Sequence, residues 1–304
     1  MIDSETAAAS TEKPEQRFAE IDSWPTARVV AAMLEEQTAA VAVLARAQDA
    51  IVVAVEAAAD RLKTGGRLIY AGAGASGRLA VQDGVELRPT FNWPDERLLY
   101  FLAGGEGALI RSVEGAEDDA DAARALVAER GIGPADVVIG VAASGRTPFT
   151  VAIIETSREA GALTIGIANN AKTPLLAGAD YPIFAQTGSE LVAGSTRMKA
   201  GTAQKVILNT ISTGIMLRLG KVYRGLMVDM LISNAKLRKR AEAMVQRLAG
   251  CDEAAAIRAI AASGDNIKGA VLIALGQTPE GAASLLKTHE GMLGEAIAAL
   301  GGDQ

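Results

Sequence analysis

The chain has 304 residues, of which 49% are hydrophobic and only 4% aromatic, and this composition predicts an α/β protein with an aliphatic core. Its net charge of −6 and its pI near 5.1 argue against nucleic-acid binding, which needs clustered lysine and arginine. One cysteine and one histidine provide neither an internal disulfide nor a cysteine–histidine metal cluster.

The first 15 residues are polar and small, so the sequence predicts a flexible tail there and no signal peptide. No apolar run approaches the ~18 residues of a membrane span, so we expect a cytoplasmic protein without membrane contact. A helical pattern runs from Thr26 to Leu62, and Asp49 is expected to divide it into two helices. Short apolar runs then predict five strands, over residues 68–71, 98–102, 136–142, 163–168 and 181–185.

Helices are predicted between these strands, over residues 78–86, from before Glu114 to about Arg130, and over 148–160. Strands that alternate with helices across short links predict a parallel sheet with helices on both faces. We therefore expect an α/β, doubly wound domain of about five strands, preceded by the N-terminal helices. Ligands are expected at the carboxyl ends of its strands.

Beyond the last strand, the pattern predicts a helix opened by Gly201 and another over 226–248 that ends at Gly250. Three or four short helices follow it. The predicted organisation is a tail over residues 1–15, a main domain over 16–250 that includes the flanking helices, and a small helical domain over 251–304.

Two similar turns follow apolar strands, because the tetrapeptide ASGR occurs at residues 75–78 and again at 143–146. The first copy also satisfies G-x-G-x-x-G at Gly72, Gly74 and Gly77, which is the dinucleotide fingerprint. A dinucleotide domain needs only one such turn, and the second copy keeps the serine without the glycine spacing. Two Ser-Gly turns at strand ends favour hydroxyl and backbone contacts to a compact phosphate.

A polar loop precedes the helix that Gly201 opens, within residues 188–217. Hydroxyls and charges crowd into this loop, and a helix N-terminus beside them suits a phosphate or a polar sugar. The alternative is an ordinary capped helix after a solvated loop. The polar residues of the loop are Ser189, Glu190, Ser195, Thr196, Arg197 and Lys199.

No Ser-His-Asp set is expected, because the single histidine, His289, lies in the C-terminal helices. General acid–base chemistry therefore falls to carboxylates, lysines or tyrosines. Three acids lie near the first turn or the following acidic segment: Glu86, Glu114 and Glu117. Each of them also fits a solvated helix face or a helix end.

The turns and loop together resemble a known family, through the segments GAGASGRLAVQDGVE, GGEGALIRSVEGAEDD, GVAASGRTP and GSTRMKAGTAQKVILNTIST. The resemblance is to the N-acetylmuramic acid 6-phosphate etherases, members of the sugar-isomerase (SIS) domain superfamily, and it covers nearly the whole chain. It implies a cytoplasmic lyase of cell-wall (peptidoglycan) recycling. Such an enzyme removes D-lactate from N-acetylmuramic acid 6-phosphate and leaves N-acetylglucosamine 6-phosphate. It also implies a homodimer that uses no metal or organic cofactor.

The resemblance assigns two catalytic glutamates. The motif D-x-x-E-x-x-P-T places one at Glu86, and the later glutamate of E-G-A-E-D is Glu117. Contacts to the sugar phosphate are implied for the Ser-Gly turns and for the polar loop. The implied contact residues are Ser76, Gly77, Ser144, Gly145, Thr147, Glu190, Ser195, Thr196 and Lys199.

The sequence after the motif glutamate departs from the pattern of many relatives. They carry E-C-P-P-T, whereas this chain has Glu86-Leu87-Arg88-Pro89-Thr90, with an arginine in place of the first proline. If the Arg88 guanidinium reached Glu86, it would lower the pKa of Glu86 and weaken that residue as an acid. Otherwise we expect Arg88 to face solvent or the lactate carboxylate.

Two other functions stay open. One is a non-enzymatic sugar-phosphate sensor similar to glucokinase regulatory protein, and the other is an SIS sugar-phosphate isomerase. The C-terminal helices resemble a ubiquitin-associated-type bundle.

Overall fold

The computed structural model describes residues 10–301, and the chain divides into two compact units. The first unit comprises residues 10–84 and Glu96–Ser212, and the second comprises Val85–Asp95 and residues 213–301. The second unit therefore includes a short segment taken from the middle of the chain. The domain limits predicted at residues 15 and 250 stay predictions.

A five-stranded sheet forms the centre of the first unit. All of its strand pairs are parallel, and the strand order is β2-β1-β3-β4-β5. This confirms the predicted α/β sheet, and each strand lies within one residue of its prediction. The strands are β1 (Leu68–Gly72), β2 (Leu98–Leu102), β3 (Val137–Ala142), β4 (Leu163–Ala168) and β5 (Tyr181–Phe184).

Every residue of β1, β3 and β4 is buried, as expected for parallel strands covered by helices. In chain order, the α-helices of residues 10–301 are α1 (Thr26–Ala42), α2 (Gln48–Lys63), α3 (Gly74–Val85), α4 (Leu87–Phe91), α5 (Ala120–Glu129), α6 (Pro148–Glu159), α7 (Pro174–Gly178), α8 (Lys199–Arg218), α9 (Ala235–Ala249), α10 (Glu253–Ala262), α11 (Ile267–Ala274), α12 (Pro279–Thr288) and α13 (Leu293–Gly301).

Aliphatic side chains join the sheet to its helices. Ile69 of β1 and Val138 of β3 belong to one core cluster with Ile153 and Ile154 of α6, and all four are fully buried. On α2, Ala54, Ala58 and Leu62 are buried, and this helix contacts β3, β4 and β5. The predicted aliphatic core is therefore observed.

The acidic segment before α5 differs from its prediction. The expected helix from before Glu114 is wrong at its start, because the helix begins only at Ala120. Gly115 has a φ of +73°, which ends regular structure there, and Asp119 caps α5 by accepting a hydrogen bond from the Ala122 amide at 2.8 Å. Ala116–Asp118 form a separate 3-10 turn, so Glu117 is not part of the helix.

The helix predicted over 226–248 is also wrong at its start. Helix α9 begins at Ala235, because Asn234 is extended and accepts a hydrogen bond from the Leu237 amide at 2.9 Å. Its end at Gly250 is confirmed, and Gly250 has the left-handed φ of +67° that a helix C-terminus favours. Four short helices, α10–α13, follow it in the second unit.

Part of the tail predicted for residues 1–15 has regular structure. Residues 1–9 lie outside the described part of the chain. Ser10–Glu12 form a 3-10 turn in which Thr11 has no exposed surface. Farther on, α1 and α2 are separated by a 3-10 segment, Val43–Ala47, so the predicted division of the helical stretch near Asp49 is confirmed.

The stretch Thr26–Lys63 is long and apolar enough, by length and composition, to cross a membrane. Its most apolar window has a mean hydropathy of 1.7, and 28% of that window is buried. The criterion admits up to two charged residues in the window, so this stretch differs from an uninterrupted apolar run, and the expectation of no membrane contact stays a prediction. A single helix of this kind is weak support for a membrane span, because core helices of soluble proteins meet the same criterion.

Candidate active site

The first Ser-Gly turn brings α3 into close contact with the end of β1. A Cβ atom on Gly77 would lie 2.7 Å from the carbonyl carbon of Gly72 and 2.5 Å from Leu102 Cδ1, so only glycine fits there. Gly74 opens the helix with a φ of +53°. Ser76 therefore lies in the first turn of α3 and is largely buried, and within residues 10–301 its hydroxyl makes no side-chain hydrogen bond.

The second Ser-Gly turn leads from β3 to α6. Gly145 has a φ of +64°, and a Cβ there would lie 2.4 Å from Thr173 Oγ1. The Arg146 amide donates to Ser144 Oγ at 3.2 Å, which orients that hydroxyl. Thr147 occupies the N-cap position of α6 without capping it, and Pro148 follows at the first helical position.

The two turns lie side by side. Strands β1 and β3 are neighbours, with Gly72 paired to Val141, and both strands end at the same edge of the sheet. Adjacent parallel strands are about 4.8 Å apart, so the two turns can bind one small anion together. The structure thus places five of the predicted contact residues after neighbouring strands at one edge of the sheet: Ser76, Gly77, Ser144, Gly145 and Thr147.

The polar loop after β5 is held by buried charges. The Glu190 carboxylate accepts hydrogen bonds from the backbone amides of Lys199 and Ala200, each at 2.9 Å, and so caps the N-terminus of α8. Burial raises the pKa of Glu190, although these two amides act in the opposite direction. The Lys199 ammonium donates to Glu36 of α1 and, at 2.9 Å, to the Ser189 carbonyl.

Through these contacts, the side chains of Glu190 and Lys199 hold the polar loop in place. Direct contact of either side chain with a substrate stays a prediction. Ser195 and Thr196 are half-buried and Arg197 is exposed. Gly201 brings the start of α8 against α3, because a Cβ there would lie 3.4 Å from Leu79 Cδ1. The loop therefore lies beside the helix that carries Ser76.

A buried polar cluster that sequence reasoning missed joins α3 to β1 and α8. Asp83 is 2% exposed, and its carboxylate accepts hydrogen bonds from the Tyr70 hydroxyl at 2.8 Å and from Asn209 Nδ2 at 2.7 Å. Lys205 Nζ lies 3.8 Å from the same carboxylate. Burial raises the pKa of Asp83, while Tyr70 and the other partners lower it. The available sequence signal was the acid in D-x-x-E.

The two predicted catalytic glutamates lie in different units. Glu117 belongs to the first unit, in the exposed 3-10 turn that packs beside α6. Glu86 belongs to the second unit, where it is exposed at the N-cap of α4 without capping it. Arg88 contacts Asp95, with an Nε–Oδ2 distance of 3.8 Å, and forms no ion pair with Glu86 among the described residues.

A parallel five-stranded sheet with Ser-Gly turns at its carboxyl edge is the architecture of SIS domains. A sequence profile for the glucokinase regulatory protein N-terminal SIS domain matches residues 50–158. The fold is also similar to a 1.70 Å crystal structure of a candidate phosphosugar isomerase involved in capsule formation from Bacteroides fragilis. That similarity has a TM-score of 0.50 at 18% identity and covers 66% of this chain and 95% of that one. The first unit is therefore an SIS domain.

Full-length relatives identify the family. The chain is 47% identical over 292 residues to the N-acetylmuramic acid 6-phosphate etherase of Deinococcus radiodurans, covering 96% of this chain and 95% of that protein. It is 43% identical over 299 residues to the protein of the same name from Streptomyces avermitilis, covering 98% and 96%. The chain therefore belongs to the N-acetylmuramic acid 6-phosphate etherases, which are carbon–oxygen lyases.

The close approach at the first turn predicts that Gly77→Ala is destabilising. The added methyl group would meet backbone atoms of Gly72 that cannot move without shifting β1, so we expect a loss of about 1–3 kcal/mol. Urea unfolding of the purified variant measures it. Gly107→Ala is the matched control, because a Cβ there meets nothing within 4 Å, and its effect should stay within about 0.5 kcal/mol. Equal stability of the two variants would contradict the packing argument.

The buried cluster predicts that the cost of Tyr70→Phe depends on pH. Because the folded pKa of Asp83 is raised, its stability contribution is full below the unfolded value of about 3.9 and is lost as the pH rises through the folded value. Removing the Tyr70 hydroxyl raises that pKa further. We therefore expect a loss of about 1.5–3 kcal/mol near pH 7 and a smaller loss near pH 4.

Urea unfolding at both pH values measures this difference. Tyr181→Phe serves as the control, because the half-buried Tyr181 lies on β5 and its hydroxyl donates no hydrogen bond to a carboxylate within residues 10–301. The control should show the same small cost at both pH values. A pH-independent cost for Tyr70→Phe would show that Asp83 does not depend on the Tyr70 hydroxyl.

Proposed function

We propose that this protein cleaves the D-lactyl ether of N-acetylmuramic acid 6-phosphate and releases D-lactate and N-acetylglucosamine 6-phosphate. The observation that carries the proposal is the family membership at 43–47% identity over almost the whole chain. The presence of both motif glutamates, Glu86 and Glu117, supports it. An SIS isomerase would share the turns but not the segment EGAEDD, which this chain contains at residues 114–119.

The paired turns support the sugar-phosphate part of the proposal. The hydroxyls of Ser76, Ser144 and Thr147 and the amides at the start of α3 supply hydrogen-bond donors at one edge of the sheet. Backbone amides at a helix N-terminus favour a phosphate through both geometry and dipole. We assign the phosphate to these turns, and the sugar hydroxyls to Ser195 and Thr196 of the polar loop.

The chemistry suits two carboxylates. In the ring-opened sugar, the aldehyde acidifies the proton on C2. A base removes this proton, an acid protonates the ether oxygen on C3, and the C3–O bond breaks to release lactate and leave an unsaturated aldehyde. Water then adds at C3 and a proton returns to C2, which restores the saturated sugar. Each proton transfer needs a positioned group that accepts or donates it.

We assign Glu86 as the acid that protonates the departing lactate oxygen and later activates the water. Glu117 is assigned as the base that removes the C2 proton. The exposure of both side chains leaves them accessible to substrate. Arg88, which contacts Asp95, is not positioned to neutralise Glu86 among the described residues. General acid–base groups typically contribute about 10²–10⁴-fold to rate.

The role assignment predicts different defects in the two glutamate variants. The wild-type protein should release D-lactate from N-acetylmuramic acid 6-phosphate, and Glu86→Gln and Glu117→Gln should each lower kcat by about 10²–10⁴-fold. In deuterated water, Glu86→Gln should still exchange the C2 proton, and Glu117→Gln should not. Lactate assay and proton NMR measure the two outcomes.

Glu114→Gln is the control, because this acid is exposed on the same segment and the family pattern gives it no role. It should retain wild-type activity. Loss of C2 exchange in Glu86→Gln would reverse the assignment of the base. If the wild-type protein bound the sugar phosphate and released no lactate, the sensor function would replace the lyase.

We further propose that the protein acts as a homodimer through the exposed apolar face of α1 and α2. Leu34 is 64% exposed although it lies on a long helix of a packed unit, and four valines on the same helices are also exposed: Val30, Val41, Val52 and Val53. Several exposed apolar side chains on two successive helices favour an association surface. Glu36 of α1 bonds Lys199 of the polar loop, which attaches this helix to the SIS domain and disfavours membrane insertion.

A charge on this face should therefore break the dimer. We expect Leu34→Glu to raise the dimer dissociation constant by about tenfold or more, because the carboxylate would be desolvated in the interface. Light scattering coupled to size-exclusion chromatography measures the mass. Ile257→Glu, at an exposed apolar position of the second unit, is the control and should leave the mass unchanged. A monomeric wild type that binds lipid vesicles would assign the face to a membrane instead.

A further inference from the structure

Two asparagines without an assigned role follow β4 directly. Asn169 has no exposed surface and Asn170 is 5% exposed, so their amides lie buried at the carboxyl edge of the sheet. Buried amides are costly unless they are hydrogen-bonded. Asn169 bonds the Ala185 carbonyl and Gln204, which keeps it within the sheet edge. Asn170 reaches much farther along the chain.

The side chain of Asn170 uses both of its polar atoms. Its Nδ2 donates to the Ala143 carbonyl at 2.9 Å and to Thr11 Oγ1 at 3.1 Å. Its Oδ1 accepts from the Ser10 amide at 2.7 Å and from Ser10 Oγ at 2.8 Å. An amide has two donors and two acceptor sites, so all four are satisfied. Ala143 directly precedes Ser144 of the second turn.

The segment Ser10–Glu12, which we call the N-terminal strap, also contacts the polar loop. The Gly194 amide donates to the Thr11 carbonyl at 3.0 Å, next to Ser195. A Cβ on Gly194 would lie 2.8 Å from Glu12 Oε2, so the strap lies close against the loop there. Asn170 therefore connects the second turn to the polar loop through the strap.

We infer that Asn170 is a positioning residue for substrate binding. Its amide holds the N-terminal strap between the second turn and the polar loop, and this sets the position of Ser195 and Thr196 relative to Ser144. The inference rests on the proposed function, because these residues are the contacts assigned to the sugar phosphate. A site that is held in place before binding loses less entropy when the substrate arrives.

The hydrogen bonds to Ala143 and Thr11 require the N–H donors of the Asn170 amide. Aspartate has nearly the same volume as asparagine, but it would present an oxygen to the Ala143 carbonyl and would carry a charge. Asn170→Asp therefore removes both donated hydrogen bonds and keeps the acceptor. Thr11→Val removes only the Oγ1 acceptor and preserves the volume of a residue that has no exposed surface.

Within residues 10–301, the Asn170 side chain forms no hydrogen bond with either proposed catalytic glutamate. Replacing its amide should therefore weaken substrate binding and leave the chemical step nearly unchanged. We expect Asn170→Asp to raise the KM for N-acetylmuramic acid 6-phosphate about tenfold and to change kcat by less than about twofold. Thr11→Val should raise KM by a smaller factor. The double variant should resemble Asn170→Asp alone, because both changes break the same link.

Hydrogen exchange of the full-length protein tests the link without using activity. In Asn170→Asp the Gly194 amide should lose protection, while the Ala200 amide, bonded to Glu190, should keep it. Asn266→Asp is the control, since Asn266 caps α11 in the second unit and aspartate caps equally well. The control should leave both KM and exchange unchanged.

The possible results separate the two proposals. Lost Gly194 protection with a raised KM supports the positioning role. Lost Gly194 protection with an unchanged KM overturns the positioning role. The role is also overturned if the double variant raises KM by the product of the factors measured for Asn170→Asp and Thr11→Val. If the wild-type protein releases no lactate, the proposed function fails, and calorimetric binding of N-acetylmuramic acid 6-phosphate then replaces KM. If Asn170→Asp does not fold, Thr11→Val with its exchange data decides alone.

Discussion

The common direction of the five strands is the constraint on which the first unit depends. Because every strand pair is parallel, each strand delivers its following turn to the same edge. Two Ser-Gly turns that are 68 positions apart in the chain therefore become neighbours, and the loop after β5 reaches the same edge. Strand direction, rather than any single motif, assembles the polar groups that we assign to the sugar phosphate.

Charges in the first unit serve two different purposes. Glu36, Glu190 and Lys199 are buried and satisfy each other or backbone groups, and breaking such contacts leaves an unpaired buried group. They hold the polar loop against α1 and the start of α8. Glu117 is exposed and free to meet a substrate, and Glu86 is likewise exposed in the second unit. The protein thus separates the groups that shape the loop from those proposed to transfer protons.

Long-range polar contacts complete the sheet edge. The Asn170 amide joins residues that lie 159 and 160 positions apart, and Asp83 joins α3 to Asn209, 126 positions away. Closing such a long stretch of chain costs more conformational entropy than a few hydrogen bonds repay. These contacts therefore form only once the aliphatic core has brought the residues together. Because they form on an existing core, such contacts can set where neighbouring loops lie, and breaking one affects both that position and stability.

The sequence by itself determined the five strands, because buried parallel strands are short, continuous apolar runs between turn residues. It also located both Ser-Gly turns, and the family's motifs assigned catalytic roles to Glu86 and Glu117 that stay predictions. Helix starts at Asp119 and Asn234 were missed although both are ordinary capping residues, because the apolar pattern alone ran past them. Only the tertiary structure decided the hydrogen-bond partners of Lys199, Asp83 and Asn170. A buried polar side chain bonds the group that the fold places beside it, and that group lies too far away in the chain to be recognised from the sequence.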